Sequence, residues 1–138
     1  MNGSEKTILL VEDNEDDAYV FKRTLRKTQL EVSVQHAVDG DEAVNYLGGT
    51  GKFADRTTYP MPVLVFLDLK LPFRSGLEVL SWIRAAPEIA NLPVVVLSGS
   101  DEARDHERTE SLGICGYLVK PASVEDLLQA IRPLVVAV

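Results

Sequence analysis

Cysteine is almost missing from this sequence. Cys115 is the only one in 138 residues, which leaves no internal disulfide framework, fits a reducing compartment, and reads as a small buried hydrophobe rather than a nucleophile. Basic residues are in deficit too: 14 Lys and Arg stand against 21 Asp and Glu, for a formal charge of −7. The basic footprint of direct nucleic-acid binding is therefore lacking, and proteins, cations or small phosphates are the expected partners. No apolar run approaches the roughly 18 residues of a membrane span, and the polar opening "MNGSEKT" does not have the layout of a secretory signal. A cytoplasmic protein with no membrane segment is expected. Repeats, low-complexity tracts and interdomain linkers are also absent, so residues 1–138 read as one domain, long enough to bury about two-thirds of its unfolded surface.

What is present alternates regularly. "KTILLVED", "EVSVQHA", "MPVLVFLD", "LPVVVLSG" and "CGYLVKP" read as strands. Between them Ala18, Phe21 and Leu25 recur at helical spacing, as do Leu77, Leu80 and Ile83, and then Val124, Leu127, Leu128 and Ile131. This is the pattern of an α/β fold, a parallel sheet covered on both faces. Ser75 with Glu78 has capping-box spacing, and Asn14 with Asp17 and Ser123 with Asp126 are looser versions of the same signal. Gly48-Gly49 and Gly113 mark helix stops, and Pro133 is expected to interrupt the last helix. The connection "GGTGKFADRTTYPMP", residues 48–62, is long for a helix-to-strand loop and is either tolerated surface or a partner-binding segment.

The chemistry gathers at strand ends. In a doubly wound sheet, ligands collect beyond the C-terminal ends of the strands. Glu12 and Asp13 close the first strand, and Asp68 ends the third, directly after five apolar residues in "VLVFLDLKLP". Such a run is a buried strand whose last residue emerges into a cleft. Two carboxylates about 4 Å apart repel by roughly 4 kcal/mol at an effective dielectric of 20. Either a proton is retained or a cation binds, and oxygen ligands of this kind suit a hard divalent ion such as Mg²⁺. Ser98 in "VVVLSGS" and Lys120 in "YLVKP" close the fourth and fifth strands with a hydroxyl donor and a fixed cation, groups that can hold the oxygens of a transferring phosphoryl group. Taken singly, the acids could be helix caps, Ser98 a turn residue and Lys120 a surface lysine. Their shared edge argues for a site.

With "VEDNEDD", "LDLKLP…SGLEVL", "VVVLSGS" and "GYLVKP" in this order, the chain resembles the response-regulator receiver domains of two-component signalling over a core of about 7–134. The resemblance implies a flavodoxin-like, doubly wound, five-stranded parallel sheet of order 2-1-3-4-5, with helices on both faces. It implies Asp68 as phosphoacceptor, and Glu12, Asp13, Asp68 and the main-chain carbonyl of Lys70 around Mg²⁺. Ser98 and Lys120 would hold the phosphoryl oxygens, with Ser98, Tyr117 and Pro121 as switch residues and Lys120-Pro121 as a cis peptide. The phosphoryl donor would be a sensor histidine kinase, and the output a reshaped face of fourth helix, fifth strand and fifth helix. Tyr117 could equally be plain core or edge packing. No output domain is expected after the last helix, so the output would be contact with a downstream protein or onward transfer to a phosphotransfer partner. The apolar tail of Leu134, Val135, Val136 and Val138 suggests a homodimer. This tail and the 48–62 loop are similar to the stand-alone regulators that accompany bacterial phytochromes.

Several residues depart from the family's commoner pattern. The acid pair is Glu12-Asp13 rather than two aspartates, and Ser98 replaces a frequent threonine. Lys70 and Ser100 stand where the family borders the path of the hydrolytic water. Competing readings fit less well. A flavodoxin-like electron carrier needs a phosphate cradle after the first strand, where this chain has "EDNEDD". A hydrolase of the haloacid dehalogenase superfamily normally carries a second acid at the position of Lys70. A phosphotransfer histidine module is a helical bundle, so His36 and His106 are expected at the surface or rim. The remaining alternative is a receiver-like module that binds proteins without phosphorylation.

Overall fold

The computed structural model describes residues 5–99 and 103–135. β1 (Lys6–Val11), β2 (Val32–Ala37), β3 (Leu64–Asp68), β4 (Val94–Ser98) and β5 (Gly116–Val119) alternate with α1 (Glu15–Lys27), α2 (Gly40–Gly48), α3 (Gly76–Ala85), α4 (Ala103–Glu110) and α5 (Val124–Val135). All the pairings are parallel and the strand order is β2-β1-β3-β4-β5. The order reverses at β1, so β1 and β3 are neighbours and their C-terminal ends open onto one crevice.

Strand alternation sorts the core into two layers. Ile8, Leu10, Leu64, Phe66, Val95 and Leu97 face α1 and α5, where Phe21 meets Phe66 edge-on at 4.9 Å between centroids. Leu9, Val11, Val65 and Leu67 face the other way, onto Ala43, Tyr46 and Leu47 of α2 and Val79, Leu80 and Ile83 of α3. The three central strands are thus buried on both faces, and their apolar runs are continuous rather than alternating. Among the described side chains of α4, Thr109 alone is fully buried, which leaves that helix without a strong apolar stripe.

The helix starts follow their side chains. Asn14 accepts from the Asp17 amide at 2.9 Å, Ser75 and Glu78 form a complete capping box, and Ser123 and Asp126 bond reciprocally at 3.0 Å. Gly49, at φ 68°, ends α2 in the left-handed region that glycine adopts without penalty. The 48–62 connection is folded: a 3₁₀ turn over Gly51–Ala54 buries Phe53 against Tyr46 and Tyr59. The Arg56 guanidinium there donates to the carbonyls of Tyr46, Leu47 and Tyr59 at 2.8 to 3.2 Å, satisfying the open end of α2.

Two sequence expectations are corrected. Cys115 is exposed, because Ile114 takes the inward position beside it and packs on the core. Pro133 lies inside α5, which runs on to Val135. Its missing N–H removes one bond from the last turn only, and the residue is exposed. No helix among the described residues is long and apolar enough to cross a membrane. Ser100, Val136 and Val138 lie outside the described residues.

Candidate functional site

Glu12 is the first residue past β1, and its amide donates to the Ala37 carbonyl at 3.0 Å. That bond extends the β1–β2 pairing one step past the last strand residue. The carboxylate of Glu12 is 2% exposed, and its Oε2 accepts from the Asn14 amide at 3.1 Å. Asp13 beside it is exposed. Asp68 closes β3 at 4% exposure, with its Oδ1 accepting from the Lys70 amide at 3.1 Å. Carboxylate oxygens of Glu12, Asp13 and Asp68 all lie within 4.8 Å of one another. The expected trio therefore converges, at the crevice the sheet order creates.

Lys120 enters from the end of β5. Its amide donates to the Ser98 carbonyl at 2.7 Å, coupling the ends of β4 and β5. Its Nζ donates to Glu12 Oε1 at 2.9 Å, Asp17 Oδ2 at 2.9 Å and Asp68 Oδ2 at 3.2 Å. Asp17 was not anticipated as a site residue. As the capping partner of Asn14 it carries a local signal, but its contact with a lysine 103 positions away does not. Lys120-Pro121 is cis, and Ser98 is buried. Alongside Lys120, a cavity of about 430 Å³ is lined by Glu12, Asp17, Phe21, Leu97, Gly99 and Pro121 among others.

This crowding of charge shifts protonation. Burial pushes the Glu12 carboxyl up to about 7; hydrogen bonds from Lys120 and the Asn14 amide pull against the rise, and the charge of Asp68 adds to it. Burial alone would lower the Lys120 ammonium, but its bonds to Asp17 and Glu12 and the charges of Asp68 and Glu12 reverse that and hold it above the ordinary lysine range. The site therefore holds a fixed cation among carboxylates, one of which burial pushes toward its protonated form. Hard oxygen donors in surplus over one ammonium are the donor set a divalent cation satisfies.

The β3–α3 turn fixes Asp68 from behind. Gly76 donates its amide to the Leu69 carbonyl at 3.0 Å, and a Cβ at Gly76 would fall on the Asp68 carbonyl oxygen and the Leu69 Cα. Only glycine allows α3 to start so close to the strand end. On the far side, Tyr117 of β5 is half-buried and stacks on His106 of α4 with centroids 3.8 Å apart. His36 is half-buried as well. Its Nε2 donates to the Glu12 carbonyl at 2.8 Å, and its Nδ1 lies 3.4 Å from Lys22 Nζ, so it supports the site from the neighbouring strand.

The response regulator receiver domain model matches residues 8–132. The bacteriophytochrome response regulator AtBRR is 39% identical, with a TM-score of 0.85 over 97% of this chain and 96% of that one. The phosphorylated cyanobacterial phytochrome response regulator RcpA is 35% identical, with a TM-score of 0.79 over 94% and 90% of the two chains. Response regulator Rcp1 of Synechocystis sp. PCC 6803 is 32% identical over 127 residues, 92% of this chain and 84% of its own. A Mn²⁺-bound form of Rcp1 superposes with a TM-score of 0.78 at 30% identity, over 96% of this chain and 97% of that one.

Proposed function

Because this chain belongs to the response regulator receiver domain family, we propose that it accepts a phosphoryl group on Asp68 from a partner histidine kinase and switches a protein-contact surface in response. One observation carries the reading. Asp68 is a nearly buried strand-end carboxylate with Lys120 Nζ 3.2 Å away and two further carboxylates within 4.8 Å.

In the proposed transfer an Asp68 oxygen attacks the phosphorus of the donor's phosphohistidine. The new O–P bond forms as the P–N bond breaks, and the electron pair of that bond leaves on the imidazole. Lys120 supplies a permanent positive charge to the phosphoryl oxygens, and Ser98 a hydroxyl donor. Glu12, Asp13, Asp68 and the Lys70 carbonyl are the ligands we assign to Mg²⁺, and the surplus of carboxylate oxygens over cations supports that set. When bound, Mg²⁺ adds positive charge at the phosphoryl oxygens and relieves the repulsion among the carboxylates. Water attack on the acyl phosphate, releasing inorganic phosphate, resets Asp68. The chain promotes its own phosphorylation and dephosphorylation but turns over no external substrate.

The switch we propose draws Ser98 toward the phosphoryl group and Tyr117 inward behind it, so its stack on His106 carries the change to α4. Pro121 aims Lys120 into the site. Relatives described as phytochrome response regulators support a bacterial phytochrome as the kinase, and a cytoplasmic location with it. A downstream protein or phosphotransfer partner then reads the switched face, with no direct contact to nucleic acid. Val119 and Leu134, both exposed, support self-association through the β5–α5 side, which light scattering at micromolar concentration would refute by returning a monomer mass. The transfer itself is tested with a purified bacterial phytochrome kinase carrying labelled phosphate. Label moving to the wild-type chain, absent from Asp68→Asn and released by hydroxylamine as an acyl phosphate, is the expected result. Label that survives in the Asp68→Asn chain would overturn it.

A further inference from the structure

The loop between β3 and α3 closes on itself where the Gly76 amide meets the Leu69 carbonyl, and Phe73 is at its tip. Phe73 is 86% exposed, the most exposed of the large hydrophobic side chains described. Its backbone is also strained: φ is 67°, and the Arg74 amide reaches back to the Pro72 carbonyl at 2.8 Å. A three-residue γ-turn with positive φ at its centre is rare and strained, and for a bulky side chain it is a genuine outlier. Asparagine or glycine at 73 would relieve the strain and remove an apolar surface from water, so folding alone gives no reason for phenylalanine there.

The neighbouring loop adds to the patch. Gly40 packs so tightly on Arg74 that a Cβ would collide with the Arg74 carbonyl, and Arg74 Nε pairs with Asp41 at 3.0 Å. Val38, 48% exposed, is two residues before that contact. An apolar lip on two mutually braced loops thus borders the crevice that holds Asp68. Across the crevice, Glu15 and Asp16 are exposed at the start of α1.

We propose that Phe73 is a docking anchor for the protein that delivers the phosphoryl group, a phosphohistidine-bearing partner with an apolar contact patch and a basic rim. The proposal rests on the phosphoacceptor reading of Asp68. Asp68 is 4% exposed, so a protein donor can bring its phosphorus into bonding range only by covering the loops around the crevice. The strained turn holds the ring outward before the partner arrives, which cuts the ordering cost of binding. The acids opposite set the sign of the partner's rim. A small donor such as acetyl phosphate reaches Asp68 without touching Phe73.

Phe73→Asn and Phe73→Tyr are compared with the wild-type chain using two donors: acetyl phosphate, and whichever of a panel of purified, autophosphorylated histidine kinases transfers fastest to wild type. The expected result is a loss of at least tenfold in kcat/KM for Phe73→Asn with the kinase, carried mainly in KM. Its acetyl phosphate rate stays within threefold of wild type and its thermal midpoint does not fall. Phe73→Tyr keeps kinase transfer within threefold. Unchanged kinase transfer in Phe73→Asn would overturn the proposal, as would an equal loss with both donors. A wild-type chain that neither donor labels would instead refute the phosphoacceptor reading itself.

Discussion

Glu12→Gln, measured without divalent ions, should stabilise the chain at pH 8 and leave it nearly unchanged at pH 5. Folding moves the Glu12 carboxyl from its ordinary 4.5 up to about 7. Between those values the folded chain holds a proton that the unfolded chain has lost, so stability falls as pH rises through the window. The loss is complete above about 7 and absent below 4.5, and the gap corresponds to about 3 kcal/mol. Glutamine resembles the protonated carboxyl, so it escapes that penalty at pH 8. It gives up one hydrogen bond, because Oε1 and Oε2 both accept now, from Lys120 and Asn14, and an amide offers a single oxygen. That costs about 1 kcal/mol at either pH. At pH 5 the wild type has already lost about 1 kcal/mol of this, so Glu12→Gln should be about 2 kcal/mol more stable than wild type at pH 8 and about equal to it at pH 5. For a domain of this size this is a shift of roughly +6 °C in thermal midpoint at pH 8, with about none at pH 5. Circular dichroism melts in EDTA at both pH values read it directly, and millimolar Mg²⁺ should raise the wild-type midpoint at pH 8 more than that of the variant. A variant destabilised equally at both pH values would refute the account of Glu12 as a strained, metal-seeking carboxylate.

Lys120→Met strands three carboxylates that now share one ammonium. It should cost about 3–5 kcal/mol at pH 8, less at pH 5 where Glu12 takes up its proton, in urea titrations at the two pH values. Gly76→Ala drives a methyl group into the main chain of Asp68 and Leu69, which cannot yield as a side chain would. A loss of about 2–3 kcal/mol is expected by thermal melt, with slower labelling of Asp68 in the same preparation. Arg84 donates to the carbonyls of Leu112, Ala90, Leu92 and Gly113, tying the approach to β4 to the approach to β5. Arg84→Lys cannot reproduce that fork and should cost about 2–4 kcal/mol in urea denaturation, with hydrogen exchange rising first around residues 111–115.

The parts of the fold visible in the sequence are those set by local chemistry. The apolar run before Asp68, the Ser75–Glu78 box and the Gly49 stop each appear in the structure as their residue types dictate. The strand order came from the family resemblance, because periodicity does not say which strand neighbours which. The convergence of Glu12, Asp13, Asp68 and Lys120 follows from all four standing at C-terminal strand ends. Asp17 was missed because its tie to Lys120 is made across 103 residues, and nothing near Asp17 distinguishes it from an ordinary acid in a first turn. Composition favours burial for an isolated thiol, but Cys115 is exposed because Ile114 next to it takes the inward position. The turn at Phe73 runs against residue preference, so no propensity rule could have foreseen it.

The central claim is that Asp68 is a phosphoacceptor served by Lys120 and a divalent ion. Intact-protein mass after incubation with acetyl phosphate, with and without Mg²⁺ and beside Asp68→Asn, tests it most directly. One added phosphoryl group that requires both Mg²⁺ and Asp68 is the predicted result. No adduct on the wild-type chain, under conditions that label another receiver, would contradict the account and leave a module that binds its partners without phosphorylation.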